Sequence, residues 1–403
     1  MKYGYDKKLL KSLGVGPFLG QVKLREKMIA AADDSLPTSV YNANVLAAQL
    51  HPGVQHAVVS QVEEHGDAKS YVLVPDEQAG TKKLAYFRAG QYVSVALDIG
   101  EAKLNRPYTI RSCPKDALNG SYTLTIKHTP NGFASEYILD NWAVGTKVTL
   151  SGPLGDFYYQ DLRDAKSVVA LAGGSGITPF YSMAAAIADG TEDFDLTILY
   201  GSRTKASILL GKELEDIAAK SNGRVKLVNV LSDEEAEDCE KGFLTAELIK
   251  KYAPEGDYSV YICGPKAMYS FLKGELAKLN LKARRIRKEV PGEYGDPTGD
   301  EAYPAQAAGK TYNITVIIRG EEQNVPCRAD ETLLSAMERA GVRAPSHCRS
   351  GECGWCHSRL VSGEVYIPED NDGRRLADKK FGWIHPCRTY PLSDITLDVP
   401  VQL

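Results

Sequence analysis

The spacing of four cysteines constrains this chain more than any other feature of its sequence. Of eight cysteines, half fall within a short segment near the C-terminus: Cys348, Cys353, Cys356 and Cys387. Sulfur grouped in this way indicates a metal centre, because thiolates are strong ligands for iron and zinc. The other four stand singly, as inert thiols do in a reducing compartment; they are Cys113, Cys239, Cys263 and Cys327.

The clustered cysteines have the spacing of ligands to a 2Fe–2S centre. SHCRSGECGWCHSRL contains Cys-x4-Cys-x2-Cys, and the fourth cysteine follows in IHPCRTY after 30 intervening residues. Gly351 and Gly354 lie between the ligands, where the loop must aim its amides at sulfur. Zinc is an alternative, although one Cys-x2-Cys pair is fewer than zinc sites usually use, and disulfides are disfavoured. Three flanking histidines are expected to be surface residues: His347, His357 and His385.

Length and charge exclude several classes of function. The 403 residues carry a formal net charge of -4, so a basic field that would recruit nucleic acid is not expected. No apolar run approaches the ~18 residues of a membrane-spanning helix. The first residues, MKYGYDKKLLKSLG, lack the apolar core of a signal peptide. We therefore expect a cytoplasmic protein without a membrane span.

The pattern of the sequence changes along the chain and predicts several domains. Residues 1–52 predict a helical arm to which no chemistry can be assigned. Residues 53–160 hold short strands with period-two alternation, which predicts an antiparallel β-barrel. Residues 161–290 alternate apolar strands with amphipathic helices, which predicts an α/β domain with a parallel sheet. Residues 291–310, rich in Pro, Gly and acidic residues, indicate a linker before a final α+β domain at 311–403.

Two motifs in the predicted barrel resemble the flavin site of the ferredoxin-NADP reductase superfamily. The segment RPYTIRS (106–112) resembles the Arg-x-Tyr-Ser/Thr signature of that superfamily, and NGFASEYI (131–138) resembles its Gly-x-x-Ser/Thr turn. The resemblance implies that RPYTIRS supplies a guanidinium for phosphate, an aromatic ring for the flavin and a hydroxyl that can bond near its N5 atom. In the Gly-x-x-Ser/Thr turn, amides at a helix start, with Ser135 as the cap, would hold flavin phosphate. The implied cofactor-binding residues are Arg106, Pro107, Tyr108, Thr109, Gly132, Phe133, Ala134 and Ser135.

The predicted α/β domain carries motifs that resemble the nicotinamide site of the same superfamily. By itself, the glycine-rich turn in LAGGSGITPF (171–180) fits either a tight connection or a pyrophosphate site, and Thr178 stands where a helix cap is expected. YICGPKAM resembles the Cys-Gly-Pro element, although a lone cysteine that ends a strand is often only buried filler. YGSRTKAS follows the second strand of this domain, and the family binds the adenosine ribose at this position. The implied residues are Gly173, Gly174, Gly176, Thr178, Ser202, Arg203, Cys263, Gly264 and Pro265.

The C-terminal segment resembles a plant-type ferredoxin, with the β-grasp fold and a 2Fe–2S cluster held by the four grouped cysteines. The order of the three domains resembles the reductase components that serve oxygenases, hydroxylases or hybrid-cluster proteins. Such resemblance implies electron flow from NADH or NADPH through a flavin, FAD rather than FMN, to the cluster and then to a redox protein acceptor. Tyr108, Thr109 and Cys263 are the implied catalytic residues.

Other interpretations stay open on the sequence alone. The low potential of plant-type clusters also permits reverse flow, with a reduced carrier driving NAD(P)+ reduction. A non-catalytic electron-transfer subunit and a metal-stabilised binding module are further alternatives. The basic run ARRIRKE (283–289) is interpreted as a solvated helix end or sheet edge, or as a docking site for an acidic protein. Trp355, between two ligands, is interpreted as either a docking contact or loop packing.

Overall fold

A computed structural model describes residues 15–31, 41–130, 132–289, 292, 295–369 and 372–400. The chain divides into two compact units, residues 1–49 and 50–403. The first contains helix α1 (Val15–Ala30), which agrees with the helical arm expected there, and most of helix α2 (Asn42–Leu50). The basic stretch at the start of the arm lies outside the described residues. No helix in the described ranges has the length and apolarity needed to cross a bilayer.

An antiparallel six-stranded sheet forms the first domain of the larger unit, in the order β4-β3-β6-β1-β2-β5. Its strands are β1 (Gln55–His65), β2 (Ala68–Pro75), β3 (Tyr92–Ile99), β4 (Ala102–Thr109), β5 (Tyr122–Lys127) and β6 (Lys147–Leu150), with helices α3 (Pro114–Leu118) and α4 (Phe133–Asn141). A bridge between Ile110 and Leu124 joins the two outermost strands. This contact curls the sheet on itself, as in the predicted barrel.

A parallel six-stranded sheet follows, in the order β10-β9-β8-β7-β11-β12. Its strands are β7 (Ser167–Gly173), β8 (Asp195–Ser202), β9 (Val225–Leu231), β10 (Glu240–Lys241), β11 (Ser259–Cys263) and β12 (Ile286–Glu289). Its helices are α5 (Thr178–Ala188), α6 (Gly211–Lys220), α7 (Ala246–Tyr252) and α8 (Lys266–Ala277). The chain moves outward in one direction from β7 and later in the other from β11. The crevice between these two strands is therefore the topological switch point, where α/β sheets bind ligands.

The last domain is built on a mixed five-stranded sheet in the order β14-β13-β19-β15-β17, beside a small β16-β18 ladder. Its strands are β13 (Thr311–Ile318), β14 (Glu321–Arg328), β15 (Ser358–Ser362), β16 (Val365–Tyr366), β17 (Trp383–Ile384), β18 (Tyr390–Pro391) and β19 (Ile395–Asp398). Its helices are α9 (Leu333–Arg339) and α10 (Leu376–Lys380). Helix α9 packs Leu333, Leu334 and Met337 into the core of this domain.

The expectation of a free linker over 291–310 is wrong for its C-terminal half. Tyr303 and Ala307 are buried against Ala329 of the last domain. The Tyr303 hydroxyl donates to the Ala329 carbonyl at 3.1 Å, and the Tyr366 hydroxyl donates to Asp300 at 3.0 Å. The apolar side chains of this Pro- and Gly-rich stretch are buried against the last domain, so this part of the segment belongs to that domain.

Arg287 joins the first two domains. Its guanidinium forms an ion pair with Asp164 at 3.0 Å and donates to the Tyr158 carbonyl at 2.7 Å; it also donates to the Asp156 carbonyl. Arg287 is 4% exposed, so the expectation of a solvated basic run is wrong at this position. Strand β12 is a sheet edge as expected, but its arginine side chain is turned inward because Asp164 offers a buried partner.

Candidate functional site

A cavity of about 1490 Å³ is lined by residues from all three domains of the larger unit. The barrel contributes the expected flavin residues, the parallel sheet contributes part of the expected nicotinamide set, and the last domain contributes two of the four cysteines. The predicted residues in its wall are Arg106, Pro107, Tyr108, Thr109, Gly132, Phe133, Ala134, Ser135, Gly176, Thr178, Cys263, Pro265, Cys348 and Cys353. Residues of the three predicted sites, for flavin, nicotinamide and the cluster, therefore share one space.

The end of strand β4 brings Arg106, Tyr108 and Thr109 to this cavity. Burial raises the pKa of Tyr108 to about 12, so its phenol stays neutral and presents an uncharged ring. Arg106 Nη1 donates to Glu338 Oε2 at 3.1 Å and to the Asn105 carbonyl at 3.0 Å. Sequence reasoning assigned this arginine to phosphate alone and missed its carboxylate partner in the last domain.

The turn before helix α4 presents backbone amides to the cavity, as the resemblance implies. Gly132 is the N-cap, and a side chain at this position would lie 2.4 Å from Ser135 Oγ and 2.7 Å from the Thr129 carbonyl. The expectation that Ser135 caps the helix is wrong. Ser135 lies in the first turn, where its hydroxyl donates back to the Gly132 carbonyl at 3.1 Å. The first amides of α4 are thus left to a ligand, which suits an anionic phosphate.

The two nicotinamide motifs touch each other at the switch point between β7 and β11. A Cβ at Gly176 would lie 2.1 Å from the Cys263 carbonyl oxygen, and one at Gly173 would lie 2.9 Å from Pro265. These glycines allow the two strand ends to approach closely. Gly173, Gly174 and Gly264 form the backbone behind the cavity wall, whereas Gly176, Cys263 and Pro265 reach it. Burial raises the pKa of the Cys263 thiol, which is therefore neutral.

Thr178 lies in the cavity wall but does not cap helix α5. The helix begins at Thr178 itself because residues Gly174–Ile177 already form a 3-10 turn that runs into it. The Thr178 hydroxyl donates to the Ser175 carbonyl at 3.0 Å. The side chain is 6% exposed and stands beside the space between the flavin and nicotinamide motifs.

Ser202 and Arg203 lie at the end of strand β8, outside this cavity. Arg203 Nε donates to Asp233 at 3.2 Å, and the Asp233 amide donates back to the Arg203 carbonyl at 2.9 Å. Lys205 nearby pairs with Asp238 at 2.8 Å, while its amide donates to Glu234 at 2.7 Å. Arg203 and Lys205 at this edge therefore pair with carboxylates of one acidic segment.

The four clustered cysteines form two pairs. Cys348 and Cys353 face the cavity, whereas Cys356 and Cys387 are buried toward the core of the last domain, with their sulfur atoms 3.4 Å apart. The Cys353 amide points at Cys348 Sγ and the Trp355 amide at Cys353 Sγ, both at 3.4 Å. Two thiolate pairs, with amides aimed at sulfur, fit a centre in which each of two irons takes two cysteines.

The loop around the cysteines depends on the two glycines expected between the ligands and on histidines that were expected at the surface. Gly351 and Gly354 have φ of +85° and +69°, a conformation that glycine adopts without strain. His385 is buried, contrary to the surface position expected for it, and its Nδ1 lies 2.7 Å from the Gly351 carbonyl. Trp355 stacks on His347 with ring centroids 4.3 Å apart, and both line the cavity. Histidine in this segment shapes the loop through its ring.

Comparison with known proteins places this geometry in a family. The chain matches the oxidoreductase FAD-binding domain over residues 58–159, the oxidoreductase NAD-binding domain over 170–274 and the 2Fe-2S iron-sulfur cluster binding domain over 316–392. It is 31% identical over 356 residues to the ferredoxin reductase component of 3-ketosteroid-9-alpha-monooxygenase from Mycobacterium tuberculosis, covering 84% of this chain and 93% of that protein. The chain belongs to the ferredoxin-NADP reductase superfamily, in the branch with a C-terminal plant-type 2Fe–2S domain.

Another relative and one solved structure are also similar to this chain. The glycine betaine monooxygenase reductase subunit of Chromohalobacter salexigens is 27% identical over 369 residues, covering 88% of this chain and 98% of that protein. The solved structure of phthalate dioxygenase reductase superposes with a TM-score of 0.62 over 87% of this chain and 98% of that chain, at 22% identity, which shows the shared fold.

Membership of this branch establishes the general activity. The protein is an NAD(P)H-dependent oxidoreductase that uses FAD and a 2Fe–2S cluster to deliver electrons to a protein acceptor. The domain order and the three folds predicted from the sequence are confirmed. The domain boundaries and the roles of individual site residues stay predictions.

Proposed function

We propose that this protein is the NADH-dependent reductase component of an oxygenase. The observation that carries the proposal is the shared cavity, which brings the flavin motif, the nicotinamide motif and two cluster cysteines to one space. Oxygenase reductase components of similar length support the choice of acceptor. The cytoplasmic location expected from the sequence stays a prediction.

The residues of the cavity have distinct roles in this proposal. Arg106 and the amides at the start of α4 hold the phosphates of FAD, while Tyr108 and Thr109 bind the flavin ring. When bound, FAD supplies the exchange between two-electron hydride chemistry and one-electron transfer. Thr178 and Cys263 orient the nicotinamide at the opposite wall and keep water out of the space. The neutral Cys263 thiol adds no charge beside the reacting carbon.

Cys348 and Cys353 would receive electrons at the cavity. They belong to the ligand pair that lines its wall, whereas the other pair is enclosed by the core of the last domain. The short path from the flavin pocket to the cluster thus lies within one compact unit. Electrons would leave from the cluster to the acceptor protein.

The preference for NADH is supported by the acidic segment beside Arg203. A 2′-phosphate would have to compete with Asp233 for the guanidinium and approach Glu234 and Asp238. Like charges at such distances oppose binding of the phosphate. We expect the purified holoprotein to show a kcat/KM for NADH at least about tenfold above that for NADPH, or about 1.4 kcal/mol.

The experiment that tests the oxygenase proposal begins with the holoprotein crosslinked to its acceptor in extract of the source cells. The isolated complex is supplied with NADH, first without and then with oxygen. We expect NADH-dependent oxygen uptake by the complex well above that of the reductase alone. A bound acceptor that NADH reduces anaerobically, but that takes up no oxygen on aeration, would contradict the oxygenase assignment.

A further inference from the structure

A buried carboxylate connects the flavin motif to the cluster loop. Glu338 lies on helix α9 of the last domain and is 1% exposed. Its Oε2 accepts from Arg106 Nη1 of the barrel at 3.1 Å, and its Oε1 accepts from Arg349 Nη1 at 2.6 Å. The Asn105 amide donates to Oε1 as well, at 3.3 Å. Both carboxylate oxygens therefore have partners, and two of the three partners come from strand β4.

Arg349 connects Glu338 to the cluster ligands. It follows the first ligand, Cys348, directly, and its side chain is fully buried. Its backbone has φ of +59°, a left-handed conformation that costs energy in a residue with a Cβ. A second hydrogen bond runs from Arg349 Nη1 to the Asn105 carbonyl at 3.2 Å. Glu338 thus supplies a negative charge to a buried guanidinium whose own backbone is strained.

The position of Arg106 shows what the carboxylate controls. Arg106 lines the cavity, and its hydrogen bonds to Glu338 and to the Asn105 carbonyl are both donated by Nη1. Nε and Nη2 belong to the same planar group, so fixing Nη1 fixes the direction in which they point. A guanidinium oriented in this way can present two parallel donors to a phosphate.

We propose that Glu338 is a positioning residue that holds the flavin-phosphate arginine, Arg106, and the cluster loop, at Arg349, in one fixed arrangement. This inference rests on the proposed function only in taking Arg106 as a ligand of FAD phosphate. Loss of the carboxylate leaves the buried Arg349 guanidinium beside the partly buried Arg106 guanidinium, and these like charges repel. Arg106 then turns away from the flavin, and the cluster loop separates from strand β4.

The test compares Glu338→Gln with Asp98→Asn in the full-length holoprotein. Asp98 pairs with Arg343 at 2.8 Å and also joins β3 to the last domain, but both side chains are 54% exposed, so this pair contributes little. Two quantities are measured: the dissociation constant of FAD, by titrating flavin-free protein, and the rate at which the reduced-cluster EPR signal appears after NADH is added.

For Glu338→Gln we expect the FAD dissociation constant to rise at least about fivefold, as for loss of a charge-assisted contact. The cluster should be reduced at least about tenfold more slowly, because even part of the displacement of about 1 Å that costs about 100-fold in an active site would have this effect. Asp98→Asn should match the wild type in both. Wild-type FAD affinity in Glu338→Gln would overturn the proposal, even with slow cluster reduction, since Arg106 would then not depend on Glu338.

A second variant covers the case in which Glu338→Gln yields no holoprotein. Glu338→Asp keeps the charge but is one methylene too short to reach both arginines, so FAD affinity should fall while the cluster EPR spectrum stays that of the wild type. Unchanged FAD affinity in this variant would overturn the proposal. If the wild-type cluster itself fails to accept electrons from NADH, the proposed function fails, and the FAD titration still tests Glu338.

Discussion

Gly176→Ala should remove coenzyme oxidation while leaving both redox centres in place. A Cβ at this position would lie 2.1 Å from the Cys263 carbonyl oxygen, 2.4 Å from its carbon and 2.7 Å from the Gly264 nitrogen. All three atoms are backbone, so no flexible side chain can move aside. Ordinary contact starts at 3.4 Å, and the two strand ends must therefore separate by about 1.3 Å.

Such a displacement moves Cys263 relative to Thr178 at the place proposed for the nicotinamide. A misplacement of about 1 Å costs about 100-fold in rate, or about 2.7 kcal/mol of transition-state stabilisation. We therefore expect kcat/KM for NADH to fall at least about 100-fold. The assay is NADH oxidation with a small acceptor that takes electrons directly from the flavin, so the cluster and the protein partner do not enter it.

Gly201→Ala is the matched control. Gly201 lies on the adjacent strand β8, where an added Cβ would be 3.5 Å from the Ala172 carbonyl and 3.8 Å from Leu244, which are ordinary contacts. This variant should keep kcat/KM within about twofold of the wild type. FAD content and dithionite reduction of the cluster should be unchanged in both variants. Near wild-type turnover in Gly176→Ala, or an equal loss in Gly201→Ala, would refute the reasoning.

Three further changes test other parts of the site. Asp164→Ala leaves the buried Arg287 guanidinium without its carboxylate and should lower the free energy of unfolding, measured with a chemical denaturant, by about 3–5 kcal/mol. The control Asp257→Ala breaks a partly exposed ion pair and should lower it by less than about 1 kcal/mol. Equal losses of stability in the two variants would contradict the role of burial. Burial raises the pKa of Glu289 from 4.5 to about 8, so the folded state holds its proton more tightly and stability is lost as pH rises through this range. Glu289→Gln should therefore gain at least about 1 kcal/mol over the wild type above pH 8, and parallel stability profiles would argue against the shift. Asp233→Ala frees Arg203 and should raise the ratio of NADPH to NADH kcat/KM at least about tenfold; an unchanged ratio would show that this carboxylate does not select the coenzyme.

Motifs with a local physical requirement were predictable from the sequence. The glycines of the strand-to-helix turn and the Cys-x4-Cys-x2-Cys spacing each encode a backbone geometry within a few residues, and the structure brings them to one cavity. Period-two alternation likewise predicted the strands of the barrel, and apolar strands alternating with amphipathic helices predicted the parallel sheet. Each of these patterns depends only on residues within its own segment, so no distant contact has to be known.

Contacts between distant segments were not predictable in this way. Glu338 stands in LSAMERAG, where a glutamate on a short helix normally faces solvent, and its partner Arg106 lies 232 residues away. His385 and Arg287 are similar cases, because each polar group is buried only where another domain or loop supplies its partner. Residues 300–307 resemble a linker in sequence because they contain few apolar side chains, but those side chains pack against the last domain.

Helix caps were also misjudged, for a local reason. Ser135 and Thr178 have the residue types that favour caps, but each lies inside the first turn and bonds to a carbonyl three residues earlier. The helical path begins before each of these residues, at the start of α4 for Ser135 and in the 3-10 turn that precedes α5 for Thr178. The N-cap residues are therefore Gly132 and Ile177, and neither side chain bonds to the first amides of its helix.

The most direct test of the central claim is to mix the holoprotein with NADH without oxygen and to follow flavin absorbance and cluster EPR in the same samples. The shared cavity predicts that flavin absorbance falls first and that the reduced-cluster signal then rises to the intensity obtained with dithionite. A fully bleached flavin beside a cluster that stays EPR-silent, although dithionite reduces it, would contradict the electron path through this cavity.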